Sequence, residues 1–362
     1  MASIWNNGIS LSIFGESHSA AIGVVIDNLP PGKKINMDRV ISFMKRRQAK
    51  SDGTTTSRIE PDIPEIQSGL VNGVTTGTPL AFLIHNTNVR SQDYQNVQTT
   101  VRPGHADYTG NVRYQGANDI RGGGHFSGRL TACMAAAGAV CGQILEEYGV
   151  YVAAHLLSVY DIHCNSLDTM SLTKEKLAEI RALPFPVINE VKRLQIIDRI
   201  NQARLAQNSV GGVVECAAIG MPAGIGSPIF DNLESIISSI IFSIPGVKGI
   251  EFGEGFHAAE LMGSENNDSF YYDKNTVKTK TNRHGGILGG ISSGMPINFR
   301  VAMKPTPSIS LEQDTIDLAQ KKEVRLGIVG RHDPCIAARA VPVVEACCNI
   351  ALLSAIIKQK GI

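Results

Sequence analysis

From Leu130 to Leu145 the chain carries no charged residue. Apolar side chains recur there at Leu130, Met134, Ala137, Cys141 and Leu145, the spacing of an α-helix, and Gly149 supplies a natural stop. A helix this poor in charge cannot lie on a surface with one face in water, so other elements must cover it on most sides. It is also shorter than the roughly 20 residues that a bilayer demands. A further apolar helix is expected over about 340–359, through Val343, Val344, Ala346, Cys347, Ile350 and Leu353. The fold must therefore bury at least one helix in its interior.

Strands are the natural cover. Runs rich in β-branched residues lie at Ile22 to Ile26, Leu80 to Ile84, Gly212 to Ile219 and Ile297 to Val301, bounded by Gly or Pro. Residues 37–47 read as an amphipathic helix with Val40, Ile41 and Met44 on one face and Lys45, Arg46 and Arg47 at its C-terminal end, where cations suit the helix dipole. Asp231 followed by Glu234 reads as the capping-box-like start of another helix. Because strands and helices mix without a βαβ rhythm, α+β layers are expected rather than a doubly wound parallel sheet. With 362 residues, 43% hydrophobic and 19% charged, the chain can bury a large core; composition does not settle the number of domains, and no fixed-period repeat or low-complexity linker divides it.

A net charge of +1 offers no global basic surface for nucleic acid, so any anion site must be local. The N-terminal segment lacks the pattern of a secretory signal, and a soluble cytoplasmic protein is expected. The seven cysteines contain no CxxC pair, which argues against a disulfide framework and against a metal site.

Chemistry concentrates in four places. The candidate strand SLSIF runs into Gly15-Glu16-Ser17-His18, a turn that would present an imidazole able to act near neutral pH, although alone it could be an ordinary loop. Arg102-Pro103-Gly104-His105-Ala106-Asp107 is followed by Arg121 and by Gly122-Gly123-Gly124-His125-Phe126-Ser127. Three glycines leading into a long helix can bring backbone N–H groups to an anion at the positive helix end, or can simply form a turn. Gly330-Arg331-His332-Asp333 gathers charge ahead of Arg339 and the last helix. The glycine-rich stretch 285–294 and then Lys304-Pro305-Thr306-Pro307-Ser308 suit a phosphate tail with a flat ring above it. The P-loop, the dinucleotide-binding G-x-G-x-x-G, the G-x-S-x-G elbow and the H-E-x-x-H helix are all missing.

In their order and spacing, FGESHS at 14–19, RSQDY at 90–94, RPGHADYTG at 102–110, RGGG at 121–124, GGILGGISSG at 285–294 and GRHDPC with RAVP at 330–342 resemble the chorismate synthase family over essentially the whole chain. The resemblance implies a single domain over residues 1–362, a layered β-α-β sandwich with two related halves, usually a homotetramer, and an anti-1,4-elimination of phosphate from 5-enolpyruvylshikimate 3-phosphate with reduced FMN. By motif position it assigns His105 to protonation of the reduced flavin, His18 to the departing phosphate and Asp333 to the flavin N5. Flavin contacts would come from His125, Phe126, Ser127, Gly246, Gly289, Lys304, Pro305, Thr306, Pro307, Ser308 and Arg331. A phosphate and two carboxylates on the substrate call for guanidinium forks, and Arg47, Arg58, Arg102, Arg129 and Arg339 are the candidates.

Two departures from the family pattern carry expectations of their own. Where many members have a second arginine within 48–54, this chain has Lys50 and Gly53, so NADPH is expected to serve only indirectly, through an external supply of reduced flavin. His125 stands where some members have arginine, and is expected to hold the flavin phosphate less firmly. Two other readings stay open: a flavin oxidoreductase of another kind, and a non-catalytic anion-binding protein.

Overall fold

A computed structural model describes residues 3–50, 53–56, 58, 60–88, 99–328, 330 and 332–361; the motif at 90–94 and Arg331 lie outside the described residues. In chain order the first half holds β1 (Ile4–Asn6), β2 (Ser10–Gly15), β3 (Ala21–Asp27), α1 (Met37–Lys45), β4 (Glu65–Ser68), the small hairpin β5 (Leu70–Val71) and β6 (Val74–Thr75), β7 (Leu80–His85), α2 (Asp107–Arg113) and α3 (Thr131–Glu147). The second half opens with β8 (Tyr151–Val159), β9 (Ile162–His163), α4 (Lys174–Ala182), α5 (Glu190–Leu205), β10 (Gly212–Ile219), α6 (Leu233–Ile241) and β11 (Val247–Phe252). It continues through α7 (Gly263–Asn266), the hairpins β12 (Phe270–Asp273) with β13 (Thr276–Thr279) and β14 (Ile287–Leu288) with β15 (Ile291–Ser292), then β16 (Ile297–Met303), a hairpin of β17 (Gln313–Asp317) and β18 (Lys322–Leu326), and α8 (Ala337–Lys360).

Two antiparallel sheets result, ordered β1-β2-β3-β7-β4 and β11-β16-β10-β8-β9. Period-two alternation sets their inner faces. On β3, Ile22, Val24 and Ile26 are wholly buried and pair with Ile84, Phe82 and Leu80 of β7. On the second sheet Cys216 lies between Ala154 of β8 and Phe299 of β16. Helices fill the space between the sheets: α3 packs on β3 and β7, α8 on β8 and β10, and the two helices run along each other with Gly138 against Ala346. The main core draws on both halves, and a smaller cluster of Ala153, Leu167, Leu177, Ile180 and Ala217 lies on the outer side of the second sheet, under α4. The layered β-α-β arrangement is thus the one expected.

Each half has the same plan. Its strands and helices follow as ββαββα, namely β2, β3, α1, β4, β7, α3 and then β8, β10, α6, β11, β16, α8. The four strands also neighbour one another in the same order, first, second, fourth, third. The intervening insertions differ, a hairpin before β7 in one half and α4 with α5 before β10 in the other.

Three local expectations change. The cap of α6 is Asn232, whose side chain accepts from Ser235 N at 2.6 Å, rather than Asp231, which sits in the preceding turn. The last helix starts at Ala337, earlier than expected, and accommodates Pro342. Lacking an N–H, that proline leaves one carbonyl of the preceding turn without its usual partner. Two helical stretches, Gly128–Glu147 and Ala337–Gln359, prove long and apolar enough to cross a membrane by length and composition, but 89% and 100% of their most apolar windows are buried inside the protein.

Candidate active site

The crossovers that carry the motifs occupy equivalent places in the two halves. In the first, the long connection from β7 to α3 holds Arg102, His105 and the triple glycine; in the second, the connection from β16 to α8 holds Lys304 to Ser308 and Asp333. The segments that follow α1 and α6 are likewise equivalent. All four converge on a cleft of about 730 Å³.

Its walls differ in character. The first half lines it with Arg47, Arg58, Glu60, Asp62, Arg102, His105 and Arg129. From the second half come Phe242, Ile244, Pro245, Val247, Met303 and Ile336, along with Lys248, Lys304 and the pair Asp333 and Arg339.

Every predicted substrate arginine is held by a carboxylate. Arg47 Nη2 donates to Asp62 Oδ2 at 2.5 Å, and Arg129 Nη1 donates to the other oxygen of Asp62. Arg58 meets Glu60 at 2.8 Å, Arg102 clasps Asp107 with Nε and Nη2 at 2.7 Å each, and Arg339 Nη1 reaches Asp333 Oδ2 at 2.7 Å. Burial opposes the charge of Asp62, but Arg47 and Arg129 more than offset it and hold its pKa below the ordinary carboxylate range. Asp107 likewise stays well below that range, its burial outweighed by hydrogen bonds from Arg102 and His105. Arg47 is pulled down to about 10 by complete burial, with Arg339 and Arg129 adding repulsion against the pull of Asp62.

His105 and His18 owe their positions to the glycines. All three glycines have positive φ and form a non-helical kink, separated from α3 by a short 3-10 turn at Gly128–Leu130. The glycines therefore do not lead directly into the long helix, and two imidazoles approach them closely. A Cβ on Gly122 would overlap the His18 imidazole, and one on Gly123 would stand 3.2 Å from His105 Nε2. Gly122 lines the cleft, and buried His18 stands beside it with Ser17 on the wall.

Asp333 lines the cleft and accepts from Thr56 N at 2.8 Å through Oδ1. Of the expected flavin contacts, Phe126, Ser127, Gly246, Lys304, Thr306, Pro307 and Ser308 line it too. His125 does so with both ring nitrogens already engaged, Nδ1 with the Gly15 carbonyl at 2.8 Å and Nε2 with Ser3 Oγ at 2.7 Å. Pro305 and Gly289 are not on the wall; Gly289 sits in the exposed turn between β14 and β15.

Sequence reasoning missed Glu60, Asp62, the partnering role of Asp107, Lys248 and the apolar wall from Phe242 to Val247. The alternation Arg58-x-Glu60-x-Asp62 was the available signal for the first two.

Comparison with known proteins agrees with this geometry. The family described as "Chorismate synthase" matches residues 9–357. The chain is 44% identical over 338 residues to the chorismate synthase of Pyrococcus abyssi, covering 93% of this chain and 92% of that one. It is 43% identical over 342 residues to that of Dehalococcoides mccartyi strain 195, covering 94% and 93%. A solved structure, "Crystal Structure of Chorismate Synthase", superposes with a TM-score of 0.77 at 26% identity, over 98% of this chain and 93% of the other. On a family match that spans nearly its whole length, relatives above 40% identity and a shared fold around one arginine-lined cleft, the chain belongs to the chorismate synthase family.

Proposed function

We propose that the cleft binds reduced FMN and 5-enolpyruvylshikimate 3-phosphate together, the flavin against the apolar second-half wall and the substrate against the arginines of the first. The chain is a lyase of the shikimate pathway, forming chorismate and phosphate by an anti-1,4-elimination. The observation that carries the two-ligand reading is that four of the five guanidiniums in the cleft come from the first half, while Phe242, Ile244, Pro245, Val247, Met303 and Ile336 come from the second.

The residues fit a flavin nucleotide. Lys304 and Lys248 face the same space and repel each other, with burial chiefly and Lys248 secondarily lowering the Lys304 pKa. Lys304 Nζ donates to the Gly104 carbonyl, which leaves it hydrogens for a ligand. Thr306 Oγ1 is buried and makes no hydrogen bond. Two cations and an unused hydroxyl suit a phosphate tail. When bound, the reduced flavin supplies electron density that it can lend and take back as the ring C–H and C–O bonds break.

The chain's own residues do the rest. Each guanidinium keeps N–H groups beyond those spent on its carboxylate, so the arginines form a preorganised set of forks for the phosphate and carboxylates of the substrate. His18 delivers a proton to the departing phosphate oxygen, and His105 holds one at the flavin. Asp333, fixed by Thr56 and Arg339, is assigned to the flavin N5 side.

The decisive experiment is an anaerobic assay with chemically reduced FMN, following phosphate and chorismate. Both should appear in equal amounts without stoichiometric loss of reductant. Reductant consumed in step with product would favour a flavin oxidoreductase, and tight binding without turnover would favour an anion-binding protein.

The enzyme is further proposed to work as a cytoplasmic homotetramer. The second half leaves Phe230, Phe256, Tyr272 and Met262 exposed by 88, 85, 78 and 73%, which supports partner contacts there. Light scattering giving a monomer mass would overturn the assembly.

A further inference from the structure

We infer that Asp107 is a positioning residue that fixes the tautomer of His105, so that Nδ1 carries hydrogen and Nε2, beside Gly123, is the nitrogen left uncommitted. The inference rests on the reading of His105 as a group that acts on the flavin, but its structural basis is independent of that reading.

The distances assign the proton. His105 Nδ1 lies 2.6 Å from Asp107 Oδ1 and 3.2 Å from Arg102 Nη2. A carboxylate oxygen that close requires a hydrogen between the two atoms, and because the ionised Asp107 has none to give, the hydrogen belongs to the ring; Arg102 Nη2 spends one of its two hydrogens on the same Oδ1 at 2.7 Å. Nδ1–H therefore donates to Asp107. Nε2, at the other side of the ring, faces the backbone of Gly123, where the missing side chain leaves room.

Asp107 is itself unable to turn away. Its Oδ2 accepts from Arg102 N at 2.9 Å and from Arg102 Nε at 2.7 Å, and the Arg102 side chain is almost wholly buried. Those donors outweigh the burial that opposes its charge and keep the carboxylate ionised far into acid, which makes it a permanent acceptor. A ring held by a fixed carboxylate on one nitrogen presents the other nitrogen in one protonation pattern and one orientation.

The amide variant reverses this pattern for a definite reason. In Asp107→Asn the amide oxygen belongs at the Oδ2 position, where two Arg102 donors converge. The amide nitrogen then faces His105 Nδ1 and can only donate to it, which drives the ring to the Nε2–H tautomer. Asp107→Glu keeps a carboxylate and should retain the wild-type tautomer.

The test is long-range proton–nitrogen correlation NMR on protein labelled with 15N-histidine, free of flavin, at about pH 8.5, where ordinary imidazoles are neutral. The His105 signal is assigned by its loss in His105→Gln. Wild type and Asp107→Glu should show Nδ1–H, and Asp107→Asn should show Nε2–H. Alongside this, the Asn variant should lose kcat by roughly 10²-fold or more at saturating substrate and reduced FMN, and the Glu variant should recover part of the loss. An Nε2–H signal in the wild type overturns the inference even if no variant folds. So does an unchanged tautomer in Asp107→Asn, or wild-type kcat with the tautomer reversed. Absence of chorismate formation by the wild type, with the NMR result as expected, would instead count against the functional reading.

Discussion

Gly122 packs so closely against His18 that any side-chain carbon on the glycine would overlap the imidazole, and its φ of 64° is one that other residues adopt at a cost. Gly122→Ala should therefore push His18 from its place and lower kcat by about 10²–10⁴-fold, the usual contribution of a general acid. The protein should still fold and bind substrate. Turnover within a few-fold of wild type, measured at saturating reduced FMN, would show that His18 does not act from this position.

Asp62 joins two buried guanidiniums, so its loss leaves positive charge uncompensated. Asp62→Asn should destabilise the protein by about 3–5 kcal/mol at neutral pH, as read from urea unfolding. The sign of the pH effect follows from its lowered pKa in the folded state. The Asp62 contribution is complete above about 3.8, the ordinary aspartate value, and is lost as pH falls through the lower folded value. Stability of the wild type should thus fall more steeply in acid than that of the variant; parallel curves would argue against this role.

Lys304 is proposed to pair with the flavin phosphate. Lys304→Ala should weaken FMN binding by about 10–100-fold, corresponding to a charge-assisted hydrogen bond of about 1.5–3 kcal/mol. Fluorescence titration should also show wild-type FMN binding more tightly when the phosphorylated substrate is present and covers it. Equal affinities with and without substrate would contradict the stacked arrangement.

Lys50 is engaged away from the cleft, donating to the Pro184 carbonyl and lying 5.9 Å from the centre of the Phe185 ring. Together with Gly53, this supports an enzyme that does not reduce its own flavin. Purified protein supplied with NADPH and oxidised FMN should form no chorismate until a separate reductase is added. Sustained NADPH oxidation coupled to product would refute this.

The α3 to α8 contact leaves no room at Gly138, whose Cβ would run into the backbone and side chain of Ala346. Gly138→Val should cost about 3 kcal/mol or more through overpacking. Equilibrium unfolding should register it as a lower denaturant midpoint.

The interior helix was legible because a charge-free stretch has few places to go, and the main strands were legible from their β-branched alternation. The carboxylate partners were harder to see. Arg47 and Asp62 are 15 residues apart and Arg129 is 67 from Asp62, so only the folded chain brings them together. The triple glycine was only half legible for a related reason: composition marks a close approach but does not show that the His18 and His105 imidazoles make one. The duplication of the two halves left no readable period because their insertions fall at different points. His125 looked like a free ligand, since nothing local reveals that Gly15 and Ser3 take its two nitrogens.

The neighbour that covers α3 along its length, α8, is made long after it. Glu147 leaves the ribosome roughly 200 residues before the end of α8 does. At about 5–20 residues per second, the Ala-rich face of α3 waits about 10–40 s for its partner. Synthesis should therefore be the stage at which this protein is most prone to aggregate, and slower growth temperature or added chaperone should raise the soluble yield more than any change at the mature surface.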